Sequence, residues 1–301
     1  MLVHQTWATR HLWFMIDRHI PVLWCSNRET YSGLVRQLHL KMKTMSHWKP
    51  SQGRITLMPE GLGFGTNIAP NDIFAQVWGG RPDSFQKNQN PLAPSVAQGT
   101  RGEFSLTCSI QPTRIDFVLT RAIPSDSDSG PFPLIESTTN MFAQLDSVIS
   151  GISKLEEFGR IARVAASVHF IQIAESFADA NSYLGGVLPE NYGPQTIDGE
   201  DFILQVNHPS QTSVGLQLNG IIKWSVDRVR VVKLVVNRVG GSANPEQLDV
   251  LAATVTFDYN TMPKVGGLRR KEQAILLTEA LTRMRAEATM LALTSDRMAN
   301  V

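Results

Sequence analysis

Alternating apolar and polar residues dominate the middle of this chain. Phe104, Leu106, Cys108 and Ile110 alternate with Glu103, Ser105, Thr107 and Ser109, and after Gln111-Pro112-Thr113 the pattern resumes through Ile115, Phe117 and Leu119. A period of two sends successive side chains to opposite faces, so each run predicts a strand with one buried face, and the proline-bearing turn joins the two as an antiparallel hairpin. The same period predicts strands over Ile73–Val77, Val164–Phe170, Phe202–Val206, Val214–Leu218 and Leu251–Tyr259. Asn219-Gly220 is the tightest hairpin signal in the sequence. The phase slip at Asp227-Arg228 predicts a turn or bulge before the two-sided apolar run Val229–Val236. Residues 83–102, polar with two prolines, read as a long loop.

Two segments carry the helical period instead. From Thr138 or Thr139 as a cap, Phe142, Leu145, Val148, Ile149, Ile152 and Leu155 recur at threes and fours, predicting a helix over about 138–157. Gly151 inside it costs about 1 kcal/mol relative to alanine. The second helix runs over about 268–298, where Ala274, Leu277, Leu281, Met284, Ala288 and Leu291 form a heptad-like seam. A shorter helix fits around Phe177–Leu184. Strands in consecutive groups, separated and ended by helices, predict an α+β fold: mainly antiparallel sheet or sheets of hairpin-linked strands packed by two long helices. No repeat period is visible.

Charge divides the sequence where hydropathy does not. Of 301 residues, 28 are basic and 27 acidic, yet residues 1–57 hold eight basic against two acidic side chains and the rest holds 20 against 25. The first 57 residues also carry four of the six tryptophans and five of the seven histidines. The expected organisation is therefore a basic Trp/His-rich extension over 1–57, of doubtful status because Met45-Ser46 opens a more ordinary composition, then a β-rich subdomain over 58–122 and an α+β subdomain over 134–301 divided at 123–133. Such an extension suits a nucleic-acid backbone and stacked bases, an anionic membrane surface, or a transit peptide. No uninterrupted apolar run of about 20 residues is present to span a bilayer, and a cytoplasmic location is expected.

Motifs that carry chemistry are incomplete. Gly61-Leu62-Gly63-Phe64-Gly65 lacks the third glycine of a dinucleotide fingerprint and the Gly-Lys-Ser/Thr of a phosphate loop. Asp126-Ser-Asp128 lacks the glutamate of a calcium loop, since Ser137 stands there. No histidine or cysteine spacing suits a transition metal, and no cofactor is expected. Cys108 alternates with apolar residues and reads as inert packing. The remaining catalytic candidates are His169, His208 and the carboxylates Asp198, Glu200 and Asp201, which would have to meet in one cleft for a hydrolase or transferase.

The binding candidates are Arg228, Arg230 and Arg238, which share strand parity, and the seam residues Leu277, Leu281 and Met284. They favour a non-catalytic interaction or assembly module with a protein partner or a second copy of itself. The hydrolase or transferase and a nucleic-acid binder using the basic N-terminal segment are the alternatives.

Overall fold

The computed structural model describes residues 48–61, 69–90, 93–122, 133–155, 160–189, 199–236 and 243–298. The described strands form one nine-stranded antiparallel sheet. In sequence order they are β1 (Lys49–Pro59), β2 (Ser84–Gln86), β3 (Ser95–Arg101), β4 (Phe104–Gln111), β5 (Arg114–Arg121), β6 (Ile161–Ala174), β7 (Ile203–Gln211), β8 (Gln217–Val236) and β9 (Ala243–Thr261). The described helices are α1 (Pro70–Trp78), α2 (Thr138–Lys154), α3 (Phe177–Val187) and α4 (Arg270–Met298). The α+β class with an antiparallel sheet holds; among the described residues four helices accompany the sheet, α3 falling where the shorter helix was expected and α1 where a strand was.

Across the sheet the order is β2-β3-β4-β5-β1-β6-β9-β8-β7. It reads as two like halves. Each half runs strand, helix, three-strand meander, helix, and each returns its last strand beside its first. The two first strands, β1 and β6, pair with each other at the centre, from Lys49 opposite Ile171 to Pro59 opposite Ile161. The short strand β2 is an addition at one edge. This repeat lies in topology alone, which is why no period marks it in the sequence. β1 straddles the compositional step at residue 57, and Trp48 is buried in the core, so the end of the basic segment is part of the sheet. Residues 1–47 and 123–132 lie outside the described residues.

Strand alternation sorts the core to one face. Ile55, Leu57, Phe117, Val168, Phe170, Val255 and Phe257 pack with Phe74 of α1, Leu145 of α2, Leu184 of α3 and Leu277 of α4 in a single apolar cluster. Phe170 and Phe257 meet edge to face at 5.7 Å. Leu277, Leu281, Met284, Ala288 and Leu291 are all buried, so the seam of α4 is filled by the protein's own sheet and by α2. Arg285 of α4 spans the helix pair, lying 5.3 Å over the ring of Phe142 and pairing with Asp146.

Several local expectations are corrected. Ile73–Trp78 is helical: Pro70 opens α1 at a position that needs no N–H, and Ile73, Phe74, Val77 and Trp78 share its buried side. The expected loop over 83–102 contains β2 and β3. The cap of α2 is Ser137, whose hydroxyl accepts from the Asn140 N–H at 3.1 Å. Asn219-Gly220 lies inside β8 and not at a turn; a Cβ on Gly220 would fall 2.7 Å from the Tyr259 ring, so packing across β9 requires glycine there. The β7–β8 turn falls at residues 212–216 instead, closed by Thr212 and Leu216. β8 pairs with β9 without a register shift through Asp227-Arg228.

Gly151 is likewise misjudged by propensity. A Cβ there would sit 2.5 Å from the Val77 carbonyl oxygen, because α1 crosses α2 at that point. Gly151→Ala, normally favourable in a helix by about 1 kcal/mol, is therefore expected to destabilise by about 2 kcal/mol through overpacking, measured as a lower urea midpoint. Leu281→Ala is expected to cost about 3 kcal/mol as a buried truncation, with the sedimentation coefficient of the folded protein unchanged.

Candidate binding face of the sheet

Opposite the helices, the sheet presents polar side chains in cross-strand rows. In the central row Thr107, Val118, Arg54, Ser167, Asp258 and Ile221 lie side by side on β4, β5, β1, β6, β9 and β8. The row on one side holds Ser109, Asp116, Thr56, Ala165, Asn260 and Asn219, and that on the other Ser105, Thr120, Gln52, His169, Thr256 and Lys223. Val118, Ala165 and Ile221 apart, these are the polar alternates of the same strands whose apolar residues form the core. The arrangement follows directly from the period of two.

A network joins the charges. Thr56 Oγ1 donates to Asp116 Oδ1 at 2.7 Å, and Arg114 Nη2 reaches Asp116 Oδ2 at 2.7 Å. On the far side of β1, Arg163 Nη2 donates to Asn260 Oδ1 at 2.6 Å, and Asn260 Nδ2 donates to Asp258 Oδ1 at 3.0 Å. Arg54 stands between the two groups. Its Nε is buried without a hydrogen-bond partner, as is the Nε of Arg163. Burial pulls the Arg54 guanidinium below its ordinary value, Asp116 opposing and Arg114 reinforcing this. Ser109 Oγ is a further buried polar atom without a partner.

Toward one end the face turns apolar: Leu134, Ile171 and Ala252 form a separate buried cluster with Ile173 and Val229 against it. Beside them, Ser225, Thr254 and Asp227 are linked by hydrogen bonds of 2.7 to 3.0 Å.

The residues singled out from the sequence do not converge. His169 lies on this face, its Nδ1 3.0 Å from Ser51 Oγ. His208 is on β7 opposite Gly220, sharing strand phase with Leu204 and Val206 and thus facing the helices. The sheet separates the two histidines, so the cleft expected to hold both does not form. Glu200 and Asp201 are exposed, with Glu200 3.4 Å from Arg228. Arg228 lies 4.9 Å over the ring of Phe177 on the helix side. Arg230 stands opposite Asp249 on the β8–β9 pair. Asp198 and Arg238 lie outside the described residues. Leu277, Leu281 and Met284 are fully buried, which removes them as an exposed binding surface.

Sequence patterning misses the central charged residues as a set. Arg54 falls within the basic N-terminal segment, and Arg114, Asp116 and Arg163 read as ordinary solvated alternates. The available signal is charge on strands with a strong apolar period on both flanks.

Other features of the fold are less suited to chemistry. Cys108 is buried and free; burial pushes its thiol well above the ordinary range, Asp116 adding to this, so it stays protonated. Among the described residues no group of three or more His, Cys, Asp and Glu side chains is placed to hold a metal, and no helix is long and apolar enough to cross a membrane. A shallow groove between the β7–β8 turn and α4 is lined by Gln211, Ser213, Thr278, Glu279, Thr282 and Arg283. Its charged groups are already engaged: Glu279 accepts from Ser213, and Arg283 donates to Ser210 and to the Gln211 carbonyl. Comparison of the protein with family models, with curated proteins and with solved structures gives no match.

His169 gives the face a measurable pH signature. Burial lowers its pKa from 6.5 to about 4, Asp227 opposing this and Lys223 adding to it. Below pH 6.5 the unfolded protein takes up a proton that the folded protein refuses, so stability falls as pH drops from 6.5 toward 4 and is unaffected above 6.5. At pH 5 the expected loss is about 2 kcal/mol. Urea midpoints at pH 7 and pH 5 should differ less in His169→Gln than in the wild type.

Proposed function

We propose that this protein is a non-catalytic binding module, an interaction or assembly unit, and that the sheet face opposite the described helices is the surface it offers to a polypeptide partner. One observation carries the reading: the buried arginine donors without partners, at Arg54 and Arg163, both lie on that face. Stability alone gives no reason to place such donors there, since a buried N–H without an acceptor costs about 1–3 kcal/mol. Both side chains are partly exposed, so a partner can bring acceptors to their outer nitrogens and offset that cost on binding.

The partly exposed Ile173 and Val229, packed on the buried cluster of Leu134, Ile171 and Ala252, support a polypeptide over a small ion, since protein interfaces set apolar contacts beside hydrogen bonds. The interaction surface is thereby moved from α4, whose seam is occupied, to the opposite side of the sheet. The rival hydrolase or transferase loses its constellation, since His169 and His208 lie on different faces. The nucleic-acid reading rests on residues 1–47, which lie outside the described residues.

Selection of a random peptide library on the immobilised full-length protein tests this surface. Ser167 stands beside Arg54 in the central row, so Ser167→Tyr should weaken the selected binders roughly tenfold or more while the thermal midpoint stays close to that of the wild type. Thr282→Tyr, in the groove by α4, should leave them unaffected. Binders that respond to Thr282→Tyr and ignore Ser167→Tyr would overturn the assignment.

A further inference from the structure

A guanidinium carries five N–H donors and keeps its charge at any pH a folded protein meets. Arg54 presents such a group from the central strand with its Nε buried and unsatisfied. The two carboxylates that attract it are committed elsewhere. Asp116 takes Arg114 and Thr56, both at 2.7 Å, and Asp258 takes Asn260 at 3.0 Å. Arg163, four residues along β6 from Ser167, spends one Nη on Asn260 and also leaves a buried Nε without an acceptor. Arg54 and Arg163 thus leave guanidinium donors without an acceptor on the face, and the group that would complete them is a negative charge bearing acceptor atoms.

The positions between the two arginines carry short side chains. On β6 Ala165 separates Arg163 from the Arg54 row, in which Ser167 stands; on β1 the residue beside Ala165 is Thr56. Two long cationic side chains thus flank a floor of short ones. We propose that Arg54 and Arg163 together hold a carboxylate of the bound partner, from an aspartate, a glutamate or a free C-terminus, over the floor formed by Ala165, Ser167 and Thr56. This deepens the binding-module reading and rests on it.

Two arguments favour a carboxylate over a phosphate. Asp116 and Asp258 on either side repel a dianion more than a monoanion. The planar guanidinium fork also matches the two oxygens of a carboxylate, and charge-assisted bonds of this kind are about twice as strong as neutral ones.

The experiment follows arginine Nε–H resonances of the full-length ¹⁵N-labelled protein by NMR. The probes are a blocked Gly-Asp-Gly peptide, the blocked Gly-Asn-Gly control, acetate and inorganic phosphate at matched ionic strength. The Asp peptide and acetate should move the Arg54 and Arg163 signals in a saturable way, the Asn peptide should not, and phosphate should bind roughly tenfold more weakly than the carboxylates. Arg54→Met should weaken Asp-peptide binding at least about tenfold, while Arg228→Met, remote from the face, should leave it unchanged. If Arg54→Met fails to fold, Arg163→Gln and the wild-type titrations decide the matter.

The proposal is overturned if the Arg54 signal stays still with the Asp peptide, responds equally to the Asn peptide, or prefers phosphate. It is also overturned if binding survives Arg54→Met in a folded protein. Library-selected binders that map to the face but lack any carboxylate requirement would overturn this proposal and leave the binding-module reading standing. Binders that map elsewhere would overturn both.

Discussion

The antiparallel pairing of β1 with β6 is the contact on which the rest of the molecule depends. Each half of the protein builds a meander that ends against its own first strand, with β5 beside β1 and β9 beside β6. Separated, each half would expose β1 or β6 as a long unpaired edge. Such edges invite uncontrolled association. Joined, they give one sheet whose outer strands are the short β2 and the polar β7. The helix layer follows the same seam, since Arg285 of α4 reaches Phe142 and Asp146 of α2 across it. The seam also assembles the charged face: β1 and β5 supply Arg54, Arg114 and Asp116, while β6 and β9 supply Arg163, Asp258 and Asn260. Neither half contains the set alone.

The two faces of the sheet resolve the cost of burying polar groups differently. On the helix side the problem is avoided, because the alternates that point there are apolar and fill one continuous core. On the other side short hydroxyl and amide side chains sink between longer ones and satisfy each other, as Ser225, Thr254 and Asp227 do. Arginine cannot follow that route. Its charge does not titrate away, its donors outnumber the local acceptors, and replacing a buried ion with packed hydrocarbon is often neutral or stabilising. An arginine with a buried, unbonded Nε on a central strand is thus a local conflict, and such conflicts are found where function overrides stability.

Much of this is legible in the sequence, and the limits are physical. Strands β4, β5, β6 and β9 follow from alternation because each turns apolar residues to the helix side and mostly polar ones to the other. α1 escapes it, since Ile73, Ala75 and Val77 alternate over a helix of nine residues, too short for the two periods to separate. Asn219-Gly220 misleads because the glycine answers to the Tyr259 ring and not to a turn. The opposite facing of His169 and His208 is readable: Leu204, Val206 and His208 share a phase, whereas His169 is out of phase with Val164, Ala166, Val168 and Phe170. What alternation cannot reveal is which strands become neighbours, and the grouping of Arg54 with Asp258 depends wholly on that.

The α4 seam shows the same limit in a different form. A stripe at threes and fours states that a helix has an apolar side, and gives no indication of whether the covering surface belongs to the same molecule. Here the sheet supplies it. Each buried leucine is worth about 1.5–3 kcal/mol relative to exposure, so Leu277, Leu281 and Leu291 together serve the fold and have nothing left for a partner. A surface that binds must instead retain unmet demand in the free protein. In this sheet that demand is polar, and it lies at the seam of the two halves, where an acceptor brought by another molecule would satisfy donors that the protein itself leaves open.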